Sequence, residues 1–260
     1  MKRLLTIIAA MALTLSAATL ARADDLANIL ANGIVRIGVP VDVPPFGSQD
    51  ANRNPVGLDV ELAESIGKAL GVKVELQQIT GANRIPYLIT NKIDIVIAAL
   101  GMTPERAKQI TYTSPYADTY DAVYGLKSLS VSSAAELGSH KIVVTKGTTQ
   151  DMTLTGMNAD ANFMRTEDDA TAATAYLSGQ AELIATNSLV VQELLKQNAG
   201  KEFDRKFVLA RGPAHMGVRM GEQNLANWLN VFIYSAVMSG ELDKLTQKYL
   251  GHGYEQLPAL

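Results

Sequence analysis

Six consecutive apolar residues, Ile95–Leu100, run without alternation into Gly101-Met102-Thr103-Pro104-Glu105-Arg106. A strand of that kind must be covered on both faces, as strands are in the parallel sheets of α/β folds. Thr103 then predicts an N-cap and Pro104 the first helical position. Arg106 fits such a helix start poorly, because the helix dipole already presents positive charge there. An anion would remove the conflict, and the planar guanidinium fork matches a carboxylate. Two readings stand: a carboxylate site at the carboxyl end of a parallel strand, where open α/β sheets bind ligands, or a surface arginine paired with Glu105 or Asp118.

The flanking segments alternate in the same way. Before this stretch the pattern predicts a helix at 26–31, a strand at 33–39, an amphipathic helix at 57–70, a strand at 72–78 and a helix at 85–90. Residues 40–46 carry Pro40, Pro44 and Pro45, so they form a loop at the strand's carboxyl end, with Phe46 or Val43 available to face a ligand. Asn83 and Arg84 lie at the edge of the same region. Further on, the pattern predicts a strand at 139–145, a helix at 168–177, a buried strand ending on Asn187, a helix at 188–198, strands at 207–210 and 216–219, and closing helices at 225–237 and 241–250. Between the first two, Thr148 and Asp151 form a capping box. Helix, polar turn, acid and apolar strand recur in the same order around Asp94 and Glu182, which predicts two lobes of similar design. Trp228, Phe232 and Tyr249 lie at helical spacing and are expected in a core.

Lys2 and Arg3 precede an apolar stretch at 4–20, and Ala21-Arg22-Ala23 then supplies small residues where a signal peptidase reads. Residues 1–23 are therefore expected to be a cleaved leader and the mature chain to be exported. Its removal takes three of the 23 basic residues against 26 acidic ones, leaving an acidic chain with no basic patch, so nucleic acid is not an expected partner. The absence of cysteine excludes a lipid-anchored cysteine, thiolate metal sites and cysteine catalysis.

Catalysis finds little support. His140, His215 and His252 are scattered without metal-ligand spacing, and no nucleophile elbow or HExxH occurs. Asp24-Asp25 and Asp168-Asp169 read as helix caps or solvated charge, and Asp42 as a turn residue. The remaining polar groups at strand ends and helix starts, Arg106, Thr148, Thr149 and Asn187, suit holding a small zwitterion better than breaking a bond.

These motifs together resemble the family 3 solute-binding proteins of polar amino acid ABC transporters. The resemblance rests on Val35-Arg-Ile-Gly-Val39, Pro44-Pro-Phe46, Gly57-Leu-Asp-Val-Glu-Leu-Ala63, Ile85-Pro86, Asp94, Thr103-Pro-Glu-Arg106, Tyr112-Thr-Ser-Pro-Tyr116, Lys146-Gly-Thr-Thr149 and Gly179-Gln180. It implies the α/β type II periplasmic binding fold: two lobes, each with a mixed, mostly parallel sheet flanked by helices, joined by two crossover strands. Lobe 1 would be 24–119 with 220–260, and lobe 2 would be 120–219 including the crossover strands. The expected function is periplasmic capture of an amino acid or related carboxylate between the lobes, without cofactor or metal, by a monomer that delivers it to an inner-membrane ABC permease. A cleft enzyme such as a cyclohexadienyl dehydratase is the alternative.

By resemblance, Arg106 clamps the ligand's α-carboxylate with the Thr148 and Thr149 backbone, and the Ala99 carbonyl accepts from its ammonium. Gly101 stands where the family usually has Thr or Ser, leaving only a backbone donor. Asn187 stands where an aspartate usually pairs with the ammonium, which favours a ligand without a free primary amine. Pro40, Val43 and Gly81 replace acidic or aromatic positions and disfavour a basic ligand, while Asn83 and Arg84 could contact the ligand's distal end.

Overall fold

The computed structural model describes residues 24–198 and 203–255. The expected leader lies outside them. In chain order the elements are α1 (Asp25–Asn32), β1 (Ile34–Pro40), a small hairpin of β2 (Ser48–Gln49) and β3 (Pro55–Val56), α2 (Leu58–Leu70), β4 (Lys73–Ile79), α3 (Arg84–Ile89), β5 (Ile95–Leu100), α4 (Pro104–Ala107), β6 (Ile110–Ala117) and β7 (Tyr120–Leu126). They continue with β8 (Ile142–Thr145), α5 (Thr149–Met157), β9 (Phe163–Thr166), α6 (Asp169–Leu177), β10 (Leu183–Asn187), α7 (Ser188–Gln197), β11 (Phe203–Arg211), β12 (Ala214–Arg219), α8 (Gln223–Met238) and α9 (Glu241–Leu250).

Two five-stranded mixed sheets result. The first has the order β4-β1-β5-β12-β6 and the second β11-β7-β10-β8-β9. In each, four strands share one direction and a single strand, β12 in the first sheet and β7 in the second, runs against them. The two apolar strands that follow the repeated acid, β5 and β10, both hold the centre of their sheet. The apolar run of β5 is buried on both faces, as its lack of alternation requires. Ile95 and Ile97 join a core built with α2, α8 and α9, while Val96, Ala98 and Leu100 join another with Leu88 of α3. Phe232 is buried in the first of these cores and stacks on Trp228, which packs against it together with Tyr249.

The chain passes between the sheets twice, from β6 to β7 through Asp118 and Thr119, and from β11 to β12 through Gly212 and Pro213. The two crossings lie side by side. Arg211 pairs with Tyr120, Ala214 pairs with Ala117, and the Gly212 amide donates to the Thr119 carbonyl at 3.2 Å. The return therefore falls before Ala214 and not at the strand expected over 216–219. Met216 and Val218 are fully buried in the first lobe's core, and that burial draws the strand wholly into the first sheet.

The acids at the first helix do two different jobs. Asp24 caps α1 by accepting from the Leu26 amide at 3.0 Å, whereas Asp25 pairs with Arg219. Asp94 accepts from the backbone and side chain of Arg36 and so ties the start of β5 to β1.

Candidate functional site

The carboxyl ends of β1 and β5 face the starts of α5 and α6 across the gap between the sheets. Arg106 sits at that gap. Thr103 caps α4, accepting from the Arg106 amide at 3.1 Å, and the arginine is only 4% exposed. This eliminates the surface reading. Its guanidinium donates to the Gly101 carbonyl at 2.7 Å and to the Gly147 carbonyl, which belongs to the opposite lobe, also at 2.7 Å. Burial lowers its pKa to about 10, with the charge of Arg84 adding to the effect, so it remains a cation at neutral pH.

Ala99 ends β5 in a left-handed conformation, φ 43°. Only a few per cent of non-glycine residues adopt positive φ, and here the turned amide is held by two groups. It donates to Asp59 Oδ2 and to the Tyr116 hydroxyl, both at 3.0 Å, while that hydroxyl donates to Asp59 Oδ1 at 2.7 Å. Asp59 is fully buried, and desolvation pushes its carboxyl up to about 7. In the sequence it appears only as one residue of the Gly57–Ala63 motif near the start of a helix. The signal was present, because Leu62, Ala63 and Ile66 lie three, four and seven residues on and mark the buried face of α2.

In the second lobe, Thr148 caps α5 by accepting from the Asp151 amide and donates to the Thr145 carbonyl at 2.7 Å. Asp151 reaches back one residue beyond the expected box, accepting from the Gly147 amide and not from that of the N-cap Thr148. The Thr149 hydroxyl instead donates to Asp121 at 2.5 Å, and the Gln150 amide donates to the other oxygen of that carboxylate at 2.8 Å. Asn187 spends its amide on structure, donating to the Thr119 hydroxyl and accepting from the Leu189 amide at 3.0 Å.

Between the lobes lies a cavity with about 30 Å³ of room for water, roughly the space of one or two waters and smaller than a small-molecule site. Of the expected residues, Val43, Arg84, Ala99, Thr148, Thr149 and Asn187 line it. Gly101 stands at its edge, where an added Cβ would lie 2.8 Å from Thr149 Cγ2. Three expected residues are elsewhere. Arg106 lies beside the cavity, its guanidinium held by the Gly101 and Gly147 carbonyls. Phe46 is fully buried in the first lobe's core, because the loop folds its largest apolar side chain inward. Asn83 Oδ1 accepts from the Thr80 amide at 2.9 Å and serves the turn before α3.

Arg84 is a wall residue and not a solvated one. It is 7% exposed, donates to the Ala98 carbonyl at 3.0 Å, and leaves its Nε without a partner. Burial lowers its pKa, while Asp169 and Asp42 oppose that shift.

Both aspartates depart from their expected roles. Asp42 reaches from the loop after β1 to accept from the Asp169 amide at 2.8 Å, so an acid of the first lobe caps a helix of the second. Asp168 caps α6 conventionally through the Thr171 amide at 2.7 Å, but the Asp169 carboxyl turns into the cavity wall and accepts from the Thr145 hydroxyl at 3.1 Å. Desolvation, with Asp42 adding repulsion, pushes Asp169 up to about 7. Desolvation likewise raises Asp121 to about 6. Arg84, Asp121 and Asp169 thus line one cavity, with Arg106 and Asp42 bridging the lobes beside it, a distribution suited to a small zwitterion. The expectation against a basic ligand rested on residues 40, 43 and 81 and left these carboxylates out.

Residues 35–252 match the family model of the bacterial extracellular solute-binding proteins, family 3. The ABC transporter glutamine-binding protein GlnH of Bacillus subtilis (strain 168) is 26% identical over 232 residues, covering 87% of this chain and 85% of that protein. The crystal structure of a cysteine-binding protein from Campylobacter jejuni superposes with a TM-score of 0.82 at 26% identity, covering 90% of this chain and 96% of the other. An ancestral amino acid-binding protein described as a precursor of cyclohexadienyl dehydratase superposes with a TM-score of 0.78 at 30% identity over 86% of this chain and 98% of its own. The match of the family model across both sheets, on a fold that places a buried arginine at the gap between them, shows that this chain belongs to the family 3 bacterial extracellular solute-binding proteins.

Proposed function

We propose that the protein captures an amino acid, or a closely related carboxylate, in the cleft between its lobes and presents it to the inner-membrane permease of an ABC importer. The observation that carries this reading is Arg106, a buried cation whose hydrogen bonds run to carbonyl oxygens and which faces the α5 start across the gap. Its fork takes the ligand carboxylate, with backbone N–H groups of Thr148, Thr149 and Gly101 as further donors. The Ala99 carbonyl accepts from the other end of the zwitterion. Arg84, Val43 and the region of Asn187 meet the remainder of the ligand. The protein works as a monomer in the periplasm after loss of residues 1–23. Its moving units are the two sheets with their helices, divided at the crossings near 118–119 and 212–213.

Closure follows the ligand's differential affinity for the open and closed arrangements. The contacts from Asp42 to Asp169 and from Arg106 to Gly147 form only when the lobes meet. So does the approach of Gly81 to the residue 146–147 turn, where a Cβ on Gly81 would lie 2.6 Å from the Lys146 carbonyl oxygen. Gly81→Ala is therefore expected to obstruct closure and to weaken ligand binding by roughly tenfold or more, the scale of a one-methyl overpacking strain. Titration calorimetry on wild type and variant checks this. Equal affinities would mean that the lobes bind ligand without reaching this approach.

The direct test is thermal unfolding of residues 24–260, refolded free of ligand, against the proteinogenic amino acids, their N-substituted forms and small carboxylates. A ligand present at about a hundred times its Kd should add about 2.7 kcal/mol, or roughly 5–10 °C for a chain of this size. No stabilisation by any member would refute the reading. The three cleft aspartates meet the need of the dehydratase alternative for an acid, so prephenate and arogenate are incubated in parallel. Binding without product is the expected outcome.

A further inference from the structure

Asp121 was invisible to sequence reasoning, and its surroundings are unlike those of the other acids in the protein. It is the second residue of β7, and in the antiparallel pairing of β7 with β10 its direct partner across the strands is Asn187. Its carboxylate lines the cavity and accepts from the Thr149 hydroxyl and the Gln150 amide, one on each oxygen. Those donors are neutral, and among the described residues no basic side chain forms an ion pair with it. Three uncharged groups, Thr149, Gln150 and Asn187, therefore orient its carboxylate toward the cavity, while Arg106 and Arg84 favour its charged form from nearby without pairing with it. Burying a carboxylate that has no directly paired cation is costly, and a ligand cation would relieve that cost.

A second, independent feature of the same cavity points to an occupant. Arg84 lines it, is 7% exposed, and has a buried Nε that makes no hydrogen bond.

We infer that Asp121 is the residue that holds the ligand's ammonium group, the negative charge having been placed on the strand partner of Asn187. This rests on the amino acid reading above and narrows it: the ligand carries a free, protonated amine, contrary to what Asn187 alone suggested. Arg106 and Asp121 then mark the two ends of the zwitterion, and Asn187 is a positioning residue. Its amide fixes Thr119 and the start of α7 beside the acid.

The test compares, on the ligand-free protein of residues 24–260, each proteinogenic L-amino acid with the α-hydroxy acid of the same side chain. For every amino acid that binds, the hydroxy acid should bind at least about 30-fold more weakly, the scale set by losing one partner of a buried charge pair. Asp121→Asn should lose affinity for the amino acid by a similar factor and discriminate poorly between the two. The double variant Asp121→Asn, Asn187→Asp returns a carboxylate to the neighbouring position and should recover a measurable part of both affinity and discrimination, which a purely structural role for Asp121 would not allow. Hydroxy and amino acids binding wild type equally, or Asp121→Asn binding as wild type does, would overturn the inference while leaving the amino acid reading intact. If neither set binds, that reading fails and takes this inference with it.

Discussion

Arg106→Ala is expected to bind the ligand about 100-fold or more weakly than wild type, the loss typical of truncating one partner of a buried, hydrogen-bonded charge pair. Three features set the size of the effect. The guanidinium is 4% exposed, so its interaction with a carboxylate is little screened by water. It remains charged at neutral pH despite a pKa lowered to about 10 by burial. Its two hydrogen bonds to carbonyls span the lobes, from Gly101 on one side to Gly147 on the other, so its removal also takes away a contact of the closed form. Arg106→Lys keeps the charge but replaces the planar fork with a single point, and should fall between the two. Titration calorimetry, with circular dichroism to verify folding, measures all three proteins. An alanine variant with unchanged affinity would place the carboxylate elsewhere, with Arg84 the first residue to examine.

The unliganded protein is expected to lose thermal stability as pH rises from mildly acidic to mildly alkaline. Desolvation raises Asp59 and Asp169 to about 7 and Asp121 to about 6, from an ordinary value of 3.8. A group whose folded pKa lies above its unfolded one binds more protons in the folded state between the two values, so stability falls with rising pH over that interval. The contribution is complete below 3.8 and is lost as pH climbs through 6 to 7. One pKa unit corresponds to about 1.4 kcal/mol. If each of the three aspartates retained a single unit, the midpoint would drop by roughly 10 °C, at about 2–4 °C per kcal/mol for a chain of this size. Asp59→Asn should remove one share of this slope, because an amide can accept from the Ala99 amide and donate to the Tyr116 oxygen as the protonated acid would. Asp59→Ala should instead destabilise at every pH, since it leaves the buried Tyr116 hydroxyl without an acceptor and the Ala99 amide with only that hydroxyl. Calorimetric midpoints across the range decide this. A flat profile in wild type would mean that water reaches these carboxylates.

Much of the frame was legible because it depends on short-range patterns. The unbroken apolar run of β5 announces a doubly covered strand, Thr103-Pro104 announces a helix start, and Thr148 caps α5 through the Asp151 amide as their spacing requires. What escaped depends on pairing between distant segments. Asp121 becomes a cavity residue only through its register with Asn187, and Asp169 only because Asp42, from another lobe, takes the amide that its own carboxyl leaves free. Phe46 was misplaced for a related reason: a proline-rich loop at a strand's end can present an aromatic ring to ligand or core, and only the packing decides. The return crossing was displaced because the strand expected over 216–219 begins earlier, with Ala214 already paired to Ala117.

The two crossings also set the mechanics of the molecule. Because they run side by side, bonded from Thr119 to Gly212 and flanked by paired residues above and below, they act as a ribbon and not as two independent cords. A ribbon bends readily across its width but resists torsion and lateral shear, so the lobes have essentially one soft coordinate between them. A single distance measured across the mouth, between spin labels on the two lobes, should then describe the whole opening motion, with intermediate positions falling on one arc.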